Sequence, residues 1–339
     1  MNYTVIGVDL AKRIFQLHWI ETETAEICRL QIKRNQLVEF FANRKPCVIA
    51  MEACGSAHYW GRKFKSLGHE VRLIAAQFVR PFVKSNKTDA ADAQAIWETA
   101  QRPGMKFVAL KSEEQQSVLA LHRIREQLVK MRTMQVNQLR GLLYEFGISL
   151  PQGRKKGLAK VVEEVALLEG GISPMVIELI RQQIQRIKTF DQDIDGIEDK
   201  LLLWKKEDKA SQKLMDIPGV GILTATAAVA TIGDAKIFKN GRELAAFLGL
   251  VPRQSGTGGR VKLLGISKRG DVYLRKLLIH GARSAIQHTK VPSPWVEKML
   301  LRRPFNVVVS ALANKMARTI WALLAHDKIY EKDYARNVA

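Results

Sequence analysis

The sequence is poor in cysteine, and its histidines follow no pattern suited to a metal. Three cysteines occur among 339 residues, Cys28, Cys47 and Cys54, and their number and spacing fit neither a disulfide framework nor a zinc site. The seven histidines are scattered along the chain. Cys47 and Cys54 flank an apolar stretch, where buried thiols are expected. A disulfide-stabilised scaffold and a zinc-binding module are therefore not predicted.

The sequence also lacks an apolar run long enough to span a membrane. Its apolar content of 47% is ordinary for a globular protein. The opening stretch MNYTVIGVDLAK carries Asp9 inside its apolar part and has no small-residue cleavage site, so it predicts a strand and not a signal peptide. No lysine-rich amphipathic helix or lipidation motif appears. We expect a cytoplasmic protein with no membrane partner.

Acidic residues are scarce beside basic ones. The chain has 33 Asp and Glu against 54 Lys and Arg, a net charge of +21. Between residues 250 and 320, fourteen Lys or Arg face two acids, Asp271 and Glu297, which gives a local net charge of +12. A concentrated positive charge of this size indicates a polyanionic partner, and nucleic acid is the default.

Three regions with different patterns follow one another along the chain. Residues 1–105 are predicted to form three strands, then helix, strand, helix, strand and helix, the order of a RuvC-like (ribonuclease-H-like) α/β domain. Residues 106–210 contain two long segments with helical periodicity, and residues 211–339 are predicted to be mostly helical. We therefore predict an N-terminal α/β domain, a coiled-coil linker or oligomerisation region, and a C-terminal domain.

The middle region predicts two long helices, over about 111–148 and 174–206. Apolar residues recur at three- and four-residue steps in the first, at Leu121, Ile124, Leu128, Met131, Leu139 and Leu142. The same rhythm appears in the second, at Ile177, Ile180, Ile184, Ile187, Ile194 and Leu201. This pattern fits an antiparallel hairpin packed on itself and equally a coiled coil that also joins subunits.

Four acids are the candidate metal ligands. Asp9 and Glu52 end the first and fourth predicted strands, which are neighbours in a ribonuclease-H-like sheet, and Asp89 and Asp92 begin the last helix of the domain. Asp89 as a helix cap and Asp92 as a first-turn acid is the structural alternative. A charge beside a buried strand needs a partner or a metal, so we favour a site for Mg²⁺, which prefers carboxylate oxygens.

Two glycine-rich motifs mark the C-terminal region. IPGVG, with Gly219 and Gly221, resembles a helix-hairpin-helix turn whose following helix start offers N–H groups to a phosphate, or else is a plain turn between packed helices. RQSGTGGR, which we predict to be flexible, places Ser255 between Arg253 and Arg260. Its hydroxyl is a candidate nucleophile toward a phosphodiester, with Thr257 and Ser267 as competing hydroxyls. A phosphate-grasping loop without covalent chemistry is the alternative, and spacing alone favours it.

These motifs together resemble a known family. Asp9, Glu52 and the TDAADA helix are similar to the RuvC-like DEDD domain of Piv-like transposases of bacterial insertion sequences, the one-ten family. IPGVG, LAAFLGLVPRQSGTGGR and GISKRGDVYLRKLLIHGAR resemble its C-terminal transposase domain, and GISKRGD is typical of the eleven-eleven subgroup. The resemblance spans nearly the whole chain.

The resemblance implies a DNA recombinase that excises and inserts its own element. It implies a structured guide RNA, the bridge RNA, that pairs with target and donor DNA, and a dimer or tetramer with composite active sites. Asp9, Glu52, Asp89 and Asp92 match the DEDD set that binds magnesium, and Ser255 matches the serine nucleophile. Relatives with serines at both loop positions leave Thr257 open as an alternative.

Further basic residues complete the predicted nucleic-acid surface, in addition to Gly219 and Gly221. They are Arg253, Arg260, Lys262, Lys268, Arg269 and Arg275. Two rival functions share parts of this pattern. A RuvC-like metal-dependent endonuclease or junction resolvase would use the four acids without a covalent intermediate. A non-catalytic nucleic-acid-binding protein would use the basic surface alone.

Overall fold

A computed structural model describes residues 4–82, 88–153, 156–161, 172–289 and 293–331. The chain divides into two compact units, Met1–Gln116 with Ile232–Ile237, and Ser117–Thr231 with Phe238–Ala339. The predicted domain boundaries near residues 105 and 210 stay predictions.

The first unit is a mixed α/β structure. Its elements are β1 Val5–Asp9, β2 Ile14–Ile20, β3 Ile27–Lys33, α1 Leu37–Ala42, β4 Val48–Glu52, α2 Ala57–Ser66, β5 Glu70–Ile74, α3 Ala76–Val79, a 3₁₀ turn Arg80–Phe82 and α4 Asp89–Ala100, with a second 3₁₀ turn at Ala235–Ile237. The five strands lie in the order β3-β2-β1-β4-β5. β1, β2 and β3 pair antiparallel, whereas β4 and β5 continue parallel to β1. The predicted order of elements is confirmed, except that α3 and the first 3₁₀ turn, which were not predicted, lie between β5 and α4.

The two faces of the sheet bury different sets of side chains. Ile6 and Val8 of β1 belong to the larger cluster, together with Trp60 and Phe64 of α2. Ala50 of β4 belongs to the opposite cluster, which includes residues of α4. Because side chains alternate along a strand, Gly7 and Asp9 share the α4 face of β1, as Ala50 and Glu52 share the α4 face of β4.

The second unit is largely helical. Its elements are α5 Glu113–Glu145, α6 Pro174–Glu207, α7 Lys209–Leu214, α8 Ile222–Ile232, α9 Gly241–Phe247, β6 Pro252–Thr257, β7 Arg260–Ile266, α10 Val272–His288, α11 Pro294–Leu300 and α12 Phe305–His326. The two predicted long helices are present as α5 and α6. Part of the predicted connection between them, at residues 154–155 and 162–171, lies outside the described residues.

α5 and α6 lie side by side in opposite directions. Leu139 and Leu143 of α5 are buried with Ile180 and Ile184 of α6. Further along the pair, Val118 of α5 clusters with Ile197 and Leu201 of α6, and two ion pairs join the helices beside these apolar contacts. Arg125 Nη2 lies 2.6 Å from Glu198 Oε1, and Arg132 Nη1 lies 2.5 Å from Asp191 Oδ1. The partners are seven residues apart on each helix, so these two ion pairs occupy core positions of one continuous seven-residue repeat.

The predicted apolar stripe of α5 is therefore wrong in part. The stripe facing α6 includes Val118, Arg125, Arg132 and Leu139, whereas Ile124 and Met131 are 52% and 43% exposed. Leu142 is also exposed, and Leu121 and Leu128 pack against the cluster that contains Val118. The predicted stripe of α6 is confirmed, since all six of its predicted residues are buried.

α12 is the central helix of the C-terminal part and packs against α9, α10 and α11. It is also long and apolar enough to cross a membrane by length and composition alone. Its buried face includes Val308, Val309, Ala313 and Ile320, as expected for a core helix, and this feature is weak evidence for a membrane span.

Candidate functional site

Three of the four predicted acids gather at one end of the sheet. Asp9 ends β1, and Asp89 and Asp92 occupy the first turn of α4. Each offers a carboxylate oxygen, and these oxygens lie within 4.8 Å of one another. Asp9 and Asp92 are half-buried and Asp89 is exposed. Like charges this close repel one another, and a cation among them removes that repulsion.

The start of α4 explains why Asp89 is available as a ligand. Thr88 is the N-cap, and its Oγ1 accepts a hydrogen bond from Ala91 N at 3.2 Å. The capping role that the sequence analysis offered to Asp89 therefore belongs to Thr88. Asp89 is the first helical residue, with Asp92 one turn further on, so both carboxylates lie near the same end of the helix.

Glu52 lies beside this cluster but outside the set of mutually close oxygens. β1 and β4 pair in parallel with Val8 opposite Met51, and Asp9 and Glu52 are the next residues on their strands. Cys54 gives a second indication of this proximity: its pKa is raised by burial first, and then by the charges of Glu52 and Asp9. Both carboxylates therefore lie within electrostatic range of one thiol.

The residues present fit a hard divalent cation. Three clustered carboxylates and a fourth on the adjoining strand supply only oxygen ligands, which Mg²⁺ and Mn²⁺ prefer. Glu52 follows Met51 on the strand next to β1, and a change of rotamer can reorient its carboxylate, so Glu52 is a candidate fourth ligand. The structure brings Asp9, Asp89 and Asp92 together, and the role of Glu52 stays a prediction.

Gly7 controls how closely α4 approaches β1. A Cβ atom on Gly7 would lie 2.4 Å from Ala93 O and 2.7 Å from Trp97 N, both backbone atoms of α4. We expect Gly7→Ala to push α4 from the sheet, lowering the free energy of unfolding by about 2 kcal/mol, typical of an overpacked core. The displaced Asp89 and Asp92 should also weaken metal-dependent cleavage. Thermal unfolding and Mg²⁺ titration of cleavage measure the two effects.

The matched control is Gly55→Ala. Gly55 follows β4 at the same end of the sheet, and a Cβ atom there meets nothing within 4 Å. Equal loss of stability and cleavage in the two variants would contradict a steric role for Gly7.

Ser255 lies on an exposed β-hairpin and not in the flexible loop predicted from the sequence. β6 and β7 pair antiparallel, with Ser255 opposite Lys262 and Thr257 opposite Arg260. Gly258 and Gly259 form the two-residue turn with φ of +55° and +78°, a conformation that favours glycine at both positions. The Gly-Gly pair between two short runs was the sequence signal for this hairpin.

The register of the hairpin groups the candidate nucleophile with cations. Ser255 and Thr257 are two residues apart, so they share one face of the ribbon, and Lys262 and Arg260 are their cross-strand partners on that face. All four are exposed. By contrast, Ser267 Oγ is buried, which removes it as a competing nucleophile in this conformation.

The predicted basic residues separate into two groups. The side chains of Arg253, Lys268 and Arg269 are exposed, as are those of the hairpin. Arg275 is 6% exposed, and its Nη1 donates to Leu248 O at 2.9 Å and to Arg269 O at 2.6 Å. This guanidinium therefore holds the loop before α10, and we leave it out of the proposed nucleic-acid surface.

IPGVG connects α7 to α8, as the sequence predicted for a turn between helices. A Cβ atom on Gly219 would lie 2.4 Å from Gly281 O, and Gly219 has a φ of +87°. The close approach of α10 therefore accounts for Gly219. Gly221 is exposed, and a Cβ atom there would meet nothing within 4 Å. DNA contact by either glycine stays a prediction.

A buried polar group that sequence reasoning missed supports the start of α10. His122 of α5 lies 3.0 Å from both Thr226 Oγ1 and Tyr273 Oη. Thr226 donates its proton to Ile222 O at 2.8 Å, so His122 Nε2 donates to Thr226 and Nδ1 accepts from Tyr273. Burial first, and then Arg125, lowers the pKa of His122 to about 4. It is therefore a neutral bridge between three helices.

The chain has clear relatives. The family model described as "Transposase IS116/IS110/IS902 family" matches residues 211–296, and a "Transposase" model for DEDD proteins of this kind matches residues 6–148. A probable family 20 transposase of Pseudomonas aeruginosa is 47% identical over 97% of this chain and 99% of its own length. The transposase for insertion sequence element IS1328 of Yersinia enterocolitica is 42% identical over 98% of this chain and 99% of its own. The transposase for insertion sequence element IS1111A of Coxiella burnetii is 42% identical over 96% and 91%.

Proposed function

Because this chain belongs to the IS116/IS110/IS902 transposase family and thus cuts and rejoins DNA, we propose that it is an RNA-guided recombinase with a serine nucleophile. The exposed hairpin carries this proposal, since it presents Ser255 beside Lys262 and next to Thr257 and Arg260. We further propose that the first unit has a RuvC-like fold, which its strand order supports, and that the acid cluster holds Mg²⁺.

Ser255 is the group that makes the covalent bond. Its Oγ attacks the phosphorus of a DNA phosphodiester, the Oγ–P bond forms, and the P–O bond to the leaving strand breaks. The serine proton passes to a base, and the leaving oxygen takes up a proton to become a hydroxyl. Attack by a DNA hydroxyl on the phosphoserine reverses these changes and rejoins DNA, so the reaction consumes no high-energy cofactor.

The surrounding cations stabilise charge on the phosphate. Lys262 is the cross-strand neighbour of Ser255, and Arg260 is the neighbour of Thr257 on the same face. Both can donate to non-bridging phosphate oxygens as negative charge develops in the transition state. Arg253, two residues before Ser255, adds a third cation on the same strand.

The acids of the first unit hold the metal. Asp9, Asp89 and Asp92 would bind it directly, with Glu52 as the additional ligand. When bound, Mg²⁺ would lower the energy of the oxyanions formed as the phosphodiester is attacked and broken. Asp9 is held by β1 and Asp92 by α4, and both side chains are half-buried, so their carboxylates have little freedom to move.

The guide RNA and the oligomer follow from the family resemblance and from the charge of the C-terminal region. A net charge of +12 between residues 250 and 320 suits more than one nucleic-acid strand. Pairing between RNA and DNA would supply the sequence choice, and a dimer or tetramer would bring the strands to be exchanged together.

The test of this proposal is to sequence the RNA that co-purifies with the protein and to assay recombination with and without it. We expect a defined structured RNA, loss of recombination after ribonuclease treatment, and recovery when that RNA is added back. Full recombination by ribonuclease-treated protein would contradict the guide role. Cleaved DNA with free ends and no attached protein would instead favour a metal-dependent endonuclease.

A further inference from the structure

A large cleft lies next to the hairpin, within the second unit. It has a volume of about 1840 Å³ and is bounded by the β7 segment Leu263–Ile266, by one face of α12 and by Trp295 of α11. Pockets for small ligands are typically about 300–1,000 Å³, so this cleft is better suited to a chain than to a single small molecule.

The cleft is strongly basic. Among the residues that the structure describes, one acid, Glu331, lines it together with six cations: Arg253, Lys268, Arg303, Lys315, Arg318 and Lys328. Arg253, Lys268, Arg303 and Arg318 are exposed and form no ion pair with any residue that the structure describes. Because nothing in the described fold neutralises these guanidinium and ammonium groups, they are available to phosphates.

An indole ring forms part of the same wall. Trp295 is half-buried, and Lys315 Nζ lies 5.2 Å from the centroid of its ring. Trp321 also lines the cleft, where its Nε1 donates to Phe238 O at 3.1 Å. Aromatic rings within a basic groove are stacking surfaces for unpaired bases, whereas a duplex keeps its bases stacked on one another.

We propose that this cleft binds a single-stranded stretch of the DNA that Ser255 attacks, with an unpaired base on Trp295 and phosphates on Arg303 and Arg318. The inference rests on the proposed function for the identity of the strand. Arg253 lines the cleft two residues before Ser255, about 7 Å along the strand. A DNA strand held in the cleft can therefore continue to the nucleophile.

Binding of a fluorescein-labelled twelve-nucleotide oligodeoxythymidine to the full chain tests the proposal by fluorescence anisotropy. We expect Trp295→Ala to weaken binding about tenfold, as stacking losses do, and Trp295→Phe to retain most of it. Arg303→Gln should weaken binding and reduce its salt dependence. Arg302→Gln is the matched control, because Arg302 is the exposed neighbour that does not line the cleft. Thermal unfolding of each variant checks that it folds.

Several outcomes would overturn the inference. One is equal loss in Arg302→Gln and Arg303→Gln, and another is unchanged binding in Trp295→Ala. Variant effects confined to an oligouridine of equal length, or to a duplex, would assign the cleft to RNA or to paired DNA instead. The proposed function can fail independently of this inference. If Ser255→Ala still forms a protein–DNA adduct while the cleft variants lose single-strand binding, the assignment of the nucleophile is wrong and the proposed binding role of the cleft is supported.

Discussion

Replacing Ser255 by alanine is expected to abolish the covalent protein–DNA adduct, lowering its yield by at least about 10³-fold, because no other group then forms the bond to phosphorus. The hairpin should remain, since Ser255 is exposed and its side chain supports no buried contact. Adduct is measured as labelled DNA that stays with the protein through denaturing electrophoresis. Acid hydrolysis of that adduct should release phosphoserine.

Thr257→Ala is the matched control for this experiment. Thr257 lies on the same face of the hairpin, two residues from Ser255, and is equally exposed. It should form adduct at a level near that of the unmodified protein. Adduct that survives Ser255→Ala and disappears in Thr257→Ala would move the nucleophile to Thr257.

Replacing Asp92 by asparagine is expected to lower DNA cleavage by at least about 10²-fold at millimolar Mg²⁺, since it removes one negative ligand from the proposed metal site. The same change should raise the melting temperature of the metal-free protein, because one of three mutually repelling carboxylates is lost. Mg²⁺ should raise the melting temperature of the unmodified protein and have little effect on the variant.

These opposite effects on stability and activity distinguish a metal site from three structural acids. Glu98→Gln is the control, because Glu98 lies on the same helix but outside the cluster. If Asp92→Asn destabilises the metal-free protein and leaves cleavage intact, the acids are structural and the metal assignment is wrong.

The arrangement of the N-terminal sheet was readable from the sequence for a physical reason. β1 and β4 are apolar strands that each end in a single acid, Asp9 and Glu52. This pattern indicates that the strands are buried and that their carboxyl ends lie at the same edge of the sheet. The short helix that begins at Asp89 had a recognisable cap. The distance between β1 and α4 could not be predicted from the sequence. It is short because Gly7 has no side chain, which lets the backbone of α4 approach β1 closely.

The packing of the second unit was harder to predict from the sequence, because several of its charged side chains are buried or half-buried. Arg275 is basic in sequence but buried, where it donates to Leu248 O, 27 residues away, and to Arg269 O in the loop directly before α10. Arg125 and Arg132 occupy core positions of α5 because the acids that neutralise them lie on α6. α5 also has a second apolar stripe, which includes the exposed Ile124 and Met131. Hydrophobic periodicity alone therefore does not tell which of the two faces is buried. Only the partner helix decides between them.

The two ion pairs between α5 and α6 also restrict how this hairpin can move. Sliding one helix by seven residues in one direction would pair Arg125 with Asp191 but put Arg132 against Ile184 and Glu198 against Val118. Sliding it the other way would pair Arg132 with Glu198 but oppose Arg125 with Lys205 and put Asp191 against Leu139. Each shifted register therefore loses one of the two ion pairs, so sliding of α5 along α6 is disfavoured. We expect α5 and α6 to move together as one rigid unit during the reaction, without a change of register between them.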